Sequence, residues 1–281
     1  MTGKQTIILS QYLKAKMLNK NNYSYENKDE IKILQLTDLH LFNKENLLHG
    51  CNTNKSFENI ISDIKNDINI NYDLIFLTGD ISQDMTDDSY IFCSNILSQL
   101  EHPIFWIPGN HDNYKKTKEI FKKNKLFNHR RYLKTKHWDF IFINSCIEGK
   151  DYGYLNENEI KYIDSYIKKC NQEKDICIVM HHHPIPVDTP LIDEVILKNY
   201  FEFLEKIKKY PSVKLIMCGH VHGDYSITYN SIKIETSHAT CFQWLKGTNQ
   251  IEIENYAGYT VYKMGKNFFK KFTFKNTKEN I

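Results

Sequence analysis

Ile31-Lys-Ile-Leu-Gln-Leu-Thr-Asp-Leu-His40 is the stretch whose reading decides the fold. Residues 31–36 are mostly apolar and read as a strand. The chain then turns abruptly polar at Asp38 and His40. The same change recurs downstream. Leu74-Ile-Phe-Leu-Thr runs into Gly79-Asp80, and Phe105-Trp-Ile-Pro into Gly109-Asn110-His111-Asp112. Ile176-Cys-Ile-Val-Met180 runs into His181-His182-His183-Pro184, and Leu215-Ile-Met-Cys218 into Gly219-His220-Val221-His222.

Helical spacing fills the gaps between these runs. Phe57, Ile60, Ile61 and Ile64 predict a helix over 56–67, capped by one of residues 53–56. Further helices are expected over 88–100, 114–123, 157–170 and 198–208, and strands over 72–78, 103–107, 138–144, 175–180 and 213–217. After residue 217 only strands follow. Residues 225–229 and 232–235 form a hairpin around Asn230-Ser231, and 257–262 and 268–274 close the domain. Alternating strands and helices imply βαβ units and a layered α/β class. The strand-only end predicts a second, more antiparallel sheet, and a four-layer α/β/β/α sandwich fits. The expected organisation is a polar lead-in over 1–30, a domain over 31–275 and a polar tail over 276–281.

Composition narrows the class. A net charge of +3, from 37 Lys+Arg against 34 Asp+Glu, gives no basic stripe for nucleic acid. The lysine clusters at 115–125 and 266–278 read as solvated surface. No apolar run approaches the ~20 residues of a membrane helix, and residues 11–30 are polar, so a cytoplasmic protein without membrane partners is expected. Seven Cys, an odd number without CxxC spacing, fit a reducing compartment. Cys146, Cys177 and Cys218 read as small buried hydrophobes.

The polar clusters carry the chemistry. Loops at the carboxyl ends of sheet strands converge on one crevice although distant in sequence. Carboxylates, imidazoles and an amide oxygen together suit Mn, Fe, Co or Zn, and the absence of thiolates from the set argues against a structural zinc site. Asp38 and His40 are two apart, as are His220 and His222, so extended backbone would point each pair to one side. Gly79, Gly109 and Gly219 precede candidate ligands and permit close backbone approach.

The series Asp38-Leu-His40, Gly79-Asp80, Gly109-Asn110-His111, His182-His183-Pro184 and Gly219-His220-Val-His222 resembles the calcineurin-like metallophosphoesterase signature. It spans residues 31 to about 241. Within that superfamily the stretches 33–42, 77–84, 181–186 and 218–222 most resemble the bacterial class III cyclic AMP phosphodiesterases, and Ala239-Thr240-Cys241 with Gln243 resembles their final loop.

The resemblance implies two divalent cations, Fe²⁺ or Mn²⁺ first and Zn²⁺ or Co²⁺ as alternatives. One would be held by Asp38, His40, Asp80 and His222, and the other by Asp80, Asn110, His182 and His220. Among the three histidines it selects His182, because the family pattern is His-x-Pro and only His182 has Pro184 two residues later. His111, beside the ligand Asn110, is the implied substrate-facing and catalytic residue, with Asn110 sharing both roles and His183 a further substrate contact. Asp112 would orient His111 or cap the helix before Tyr114, and Asp84 would support the site or cap the helix near Asp88. Phe242 and Trp244 are read as packing residues, with the border of an adenine pocket as the alternative.

The implied reaction is hydrolysis of 3′,5′-cyclic AMP to 5′-AMP by metal-activated hydroxide attack on phosphorus. The partner is thus a small cyclic nucleotide, and a homodimer is left open. Two alternatives stand beside this reading: hydrolysis of glycerophosphodiesters or other small phosphodiesters, and a nucleotide-binding regulator without turnover.

Overall fold

The computed structural model describes residues 25–170 and 173–276. The lead-in to residue 24 and the tail beyond Asn276 lie outside the described residues. In chain order the first half contains β1 (Ile31–Leu36), α1 (Thr53–Asn66), β2 (Leu74–Thr78), α2 (Asp87–Ser98), β3 (Ile104–Ile107), α3 (Tyr114–Phe121), β4 (Phe127–Asn128), β5 (Tyr132–Lys134) and β6 (Trp138–Phe142). The second half contains α4 (Glu157–Lys169), β7 (Asp175–Met180), α5 (Pro190–Asp193), α6 (Tyr200–Ile207), β8 (Val213–Cys218), β9 (Ser226–Tyr229), β10 (Ile232–Thr236), β11 (Gln243–Trp244), β12 (Ile253–Glu254), β13 (Ala257–Gly265) and β14 (Phe268–Asn276).

Two six-stranded sheets stack face to face, in the orders β14-β13-β1-β2-β3-β4 and β5-β6-β7-β8-β10-β9. Strands β1 to β4 are parallel, as are β6, β7, β8 and β10, while β13, β14, β5 and β9 attach antiparallel. The C-terminal strands therefore do not form an antiparallel sheet of their own, as the pattern had predicted. The β9–β10 pair completes one sheet and the β13–β14 pair the other, because each parallel core leaves an open edge that must be paired or covered.

The continuous apolar strands are explained by burial on both faces. Between the sheets, Ile33, Leu74, Phe76 and Phe105 meet Phe140, Phe142, Val179 and Met217. Phe76 packs edge-on against Phe140 and Phe142, with centroids at 5.2 and 5.0 Å. On the outer face of the first sheet, Leu34, Leu36, Ile75 and Leu77 cover Phe57, Ile60, Ile61 and Ile64 of α1 and Tyr90 and Leu97 of α2. On the other, Ile141, Ile178 and Ile216 cover Ile160, Ile163 and Ile167 of α4 and Phe203 and Ile207 of α6. Each such side chain contributes roughly 1.5–3 kcal/mol. The architecture is the expected α/β/β/α sandwich.

Local chemistry sets the element ends. Asn52, one residue before the predicted range, caps α1 by accepting the Lys55 N–H. Asn230 and Ser231 both adopt positive φ, 44° and 68°, as a two-residue hairpin turn requires. Tyr25 is buried in the inter-sheet core, so ordered packing begins a few residues before Ile31. Among the described residues no helix is long and apolar enough to cross a membrane.

Candidate metal centre

The predicted polar clusters meet at one end of the two sheets. The loops after β1 and β2 run side by side, with Asp38 N–H donating to Gly79 O and His40 N–H to Asp80 O. Gly79 has φ +100°, and a Cβ there would lie 2.7 Å from the Gly109 nitrogen, so only glycine allows the β2 and β3 loops to touch. Gly109 is equally constrained, since its Cβ would overlap Asp80.

Asp38, His40, Asp80, His220 and His222 all have positive φ, between 41° and 71°. Side chains two apart therefore converge through left-handed turns, not through the extended backbone expected from their spacing. Non-glycine residues in such conformations cost about 1–3 kcal/mol each and gather at functional sites.

The donors point at one another. His40 Nε2 lies 3.0 Å from His222 Nε2 and 3.6 Å from Asp80 Oδ2, while His222 Nε2 is 3.7 Å from Asp38 Oδ1. His222 Nδ1 donates to the Phe242 carbonyl and His40 Nδ1 to Gln83 Oε1, so both Nε2 atoms present lone pairs. Beside them, His181 Nδ1 donates to Thr78 O, and its Nε2 faces Asn110 Oδ1 at 3.1 Å and Asp80 Oδ2 at 3.4 Å. His220 Nε2 is buried with no hydrogen-bond partner among the described residues. Converging lone pairs and an orphaned imidazole nitrogen are what a bound cation would satisfy, so the donor set fits divalent metals. Cys241 Sγ lies 3.6 Å from His222 Nδ1, but burial pushes its thiol well up and keeps it neutral, which makes it a poor ligand.

Protonation reflects the same shortage of positive charge. Burial pushes Asp38 up to about 7. Burial opposes a charged His181, but Asp80, with Asp38 behind it, overrides this and raises it to about 9. Burial likewise works to raise Asp80, yet His181 beside it holds it well below the usual carboxylate range. Burial lowers His40 to about 4, and takes His182, His220 and His222 well below the ordinary imidazole value.

The histidine triplet differs from expectation. His181, not His182, faces Asp80 and Asn110. His182 Nε2 donates to the Asp151 carbonyl, which fixes Nδ1 as the acceptor of the Ser145 hydroxyl at 2.8 Å. Its ring abuts His220, at 4.5 Å between centroids, and His181, His182 and His220 bring nitrogens close enough together to share a metal. Strand β7 ends at Met180, so the three histidines lie beyond the strand, and all three are buried. His183 does not reach the cleft. It stacks on His220 and approaches Asp193 Oδ1 at 3.3 Å.

Asp112 and Asp84 also act differently from prediction. Asp112 accepts the backbone N–H groups of Ile81, Ser82 and Gly109, locking the β2 and β3 loops together, and the cap of α3 is Asn113. Asp84 accepts N–H groups from Asn43 and Thr86, and Thr86 is the cap of α2. His111 donates its backbone N–H to Asp80 Oδ1 and sets its ring edge-on to His40 at the mouth of the site.

These donors floor a cleft of about 260 Å³, at the small end of small-molecule sites. His40, Asp80, Asn110, His111, His220 and His222 line it, together with Phe242 and Trp244. Residue-by-residue reading missed Gln83, His49, Asp151 and Ser145. Gln83 lay inside a quoted motif stretch, whereas the other three belong to loops without a signature.

Comparison with known proteins agrees with this geometry. Residues 31–224 match the family described as calcineurin-like phosphoesterase. The chain is 35% identical to the "probable cyclic nucleotide phosphodiesterase" of Coxiella burnetii, over 83% of this chain and 92% of that one. It is 33% identical to the 3′,5′-cyclic adenosine monophosphate phosphodiesterase CpdA of Haemophilus influenzae, over 80% and 82%. A dimetal phosphatase from Danio rerio has the same fold, with a TM-score of 0.66 at 11% identity over 89% of this chain and 98% of the other. The chain belongs to the calcineurin-like phosphoesterase family, as a metal-dependent phosphoester hydrolase.

Proposed function

We propose that this protein is a phosphodiesterase that hydrolyses 3′,5′-cyclic AMP to 5′-AMP, using two divalent cations. One cation is assigned to Asp38, His40, Asp80 and His222. The other is assigned to Asp80, Asn110, His181 and His220, with His181 replacing the expected His182. Asp80 would serve both cations. The observation that carries this reading is the pairing, in one cleft, of converging nitrogen and oxygen lone pairs with an apolar and aromatic wall. The names of the Coxiella and Haemophilus relatives support it.

Bound at these donors, Mn²⁺ or Fe²⁺ would supply Lewis acidity toward the phosphoryl group and toward water. The protein's own residues do the rest. Asn110 and the histidines fix where the phosphate sits, and the Asp112 clamp keeps the two supporting loops in register. Water adds to phosphorus and gives up a proton to solvent, the bond from phosphorus to O3′ breaks, and O3′ leaves as an alkoxide that takes up one proton. A ring nitrogen of His111, at the mouth of the cleft, delivers that proton.

The test is a hydrolysis panel with Mn²⁺ containing 3′,5′-cyclic AMP, 3′,5′-cyclic GMP, 2′,3′-cyclic AMP, glycerophosphocholine and bis-p-nitrophenyl phosphate. Preferred turnover of 3′,5′-cyclic AMP to 5′-AMP is expected. Turnover of glycerophosphocholine with cyclic AMP inert would overturn the substrate assignment, and no turnover with metals bound would point to a binding protein.

A further inference from the structure

The metal donors are only part of the cleft lining. The rest includes Leu191, Ile192 and Val195 and an aromatic corner of His49, Phe242 and Trp244. The His49 ring meets Phe242 edge-on at 5.6 Å and Trp244 at 5.5 Å, and Phe242 meets Trp244 at 5.1 Å. Phe242 is buried, whereas His49 is exposed and Trp244 half-buried, so these two rings offer surface to a ligand.

His49 is held there by an unfavourable turn. Leu48 and Cys51 exchange backbone hydrogen bonds of 2.9 and 3.0 Å, and the two residues between them have φ 51° at His49 and 83° at Gly50. Asn, Asp or Gly would occupy the His49 position with less strain. The turn itself does not call for an imidazole; the neighbouring cleft gives it a use.

Trp244 is registered to the metal donors. Its backbone N–H donates to the His222 carbonyl at 3.1 Å, and its ring lies 5.4 Å from the His222 ring. The aromatic corner is therefore tied directly to a metal donor, so a flat group held there would sit beside the donors.

We infer that His49 and Trp244 are specificity-determining residues that bind a flat heteroaromatic group of the substrate, a purine base, by ring contact. This rests on the reading of the cleft as a cyclic nucleotide site. It adds the two residues that separate nucleotides from aliphatic phosphodiesters sharing the same phosphate chemistry.

The experiment reads binding, not turnover. Dissociation constants of adenosine 5′-monophosphate and ribose 5-phosphate are measured by calorimetry on the Mn²⁺-loaded protein. The wild type is expected to bind the nucleotide at least about tenfold more tightly, the contribution of one stacked base. That ratio should fall toward one in His49→Ala and in Trp244→Ala, and His49→Phe should restore most of it. A wild-type ratio near one overturns the inference, and a variant that keeps the wild-type ratio removes its residue from it. If cyclic AMP is not hydrolysed but the ratio and its loss are observed, the base site stands and only the substrate reading falls.

Discussion

The Nε2 atoms of His40 and His222 face each other at 3.0 Å with both lone pairs directed into the same space. Gln83 and the Phe242 carbonyl hold the other ring nitrogens as donors, so neither ring can turn its proton inward without losing a hydrogen bond. The arrangement is repulsive by itself and becomes favourable around a cation.

The histidine triplet separates by metal content. His181→Ala removes a nitrogen that faces Asp80 and Asn110, and should leave the protein with one metal under limiting Mn²⁺. His182→Ala should retain two, because both His182 nitrogens are spent on Ser145 and Asp151. It should instead lower stability by roughly 1–3 kcal/mol, the usual effect of stranding buried partners. Metal analysis and thermal melts on both variants decide the matter. Loss of a metal from His182→Ala with both retained in His181→Ala would restore the original register.

His111 meets the donor cluster through its backbone and ring, with a ring nitrogen near those of His40 and Asp80, at the half-buried mouth of the site. His111→Ala should therefore lower turnover by roughly 10²–10⁴, the range for a general acid, while two metals stay bound. Loss of metal in that variant would show that its role is to hold the site.

Asp112→Ala should loosen the loops without removing a donor. Three backbone N–H groups from Ile81, Ser82 and Gly109 lose their acceptor, and hydrogen bonds to a charged group contribute roughly 1.5–3 kcal/mol each. A fall in melting temperature of at least about 5 °C is expected. An unchanged melting curve would mean that the clamp contributes nothing.

Metal affinity should rise with pH. In the metal-free site Asp38 is raised to about 7 and His181 to about 9, so both carry protons below pH 7. Cations must displace those protons, and the displacement becomes easier as pH rises through 7 and then 9. The Mn²⁺ dissociation constant should fall steadily between pH 6 and 9 and level off above 9. Calorimetry in buffers of different ionisation enthalpy should show net proton release at pH 7. Affinity independent of pH across that range would contradict the charge assignment.

Much was legible in the sequence, and for identifiable reasons. Strands buried on both faces leave unbroken apolar runs, and a polar residue can only follow where the strand leaves the core. The α/β layering, the strand ends and the convergence of Asp38, His40, Asp80, Asn110, His220 and His222 could therefore be read from Ile31 onward. Tertiary structure alone decided what depends on rotation about a few bonds or on which open edge accepts a strand. It sent the two C-terminal pairs, β9–β10 and β13–β14, to different sheets. It turned His181 toward Asp80 and Asn110, because β7 ends at Met180 and the period of two ends with it. It brought His49 to Trp244, nearly two hundred residues away, through a turn whose sequence carries no signature of a site. Periodicity reports which side of an element is buried; it does not report which neighbour a turn residue meets, since that is fixed only when separate elements pack.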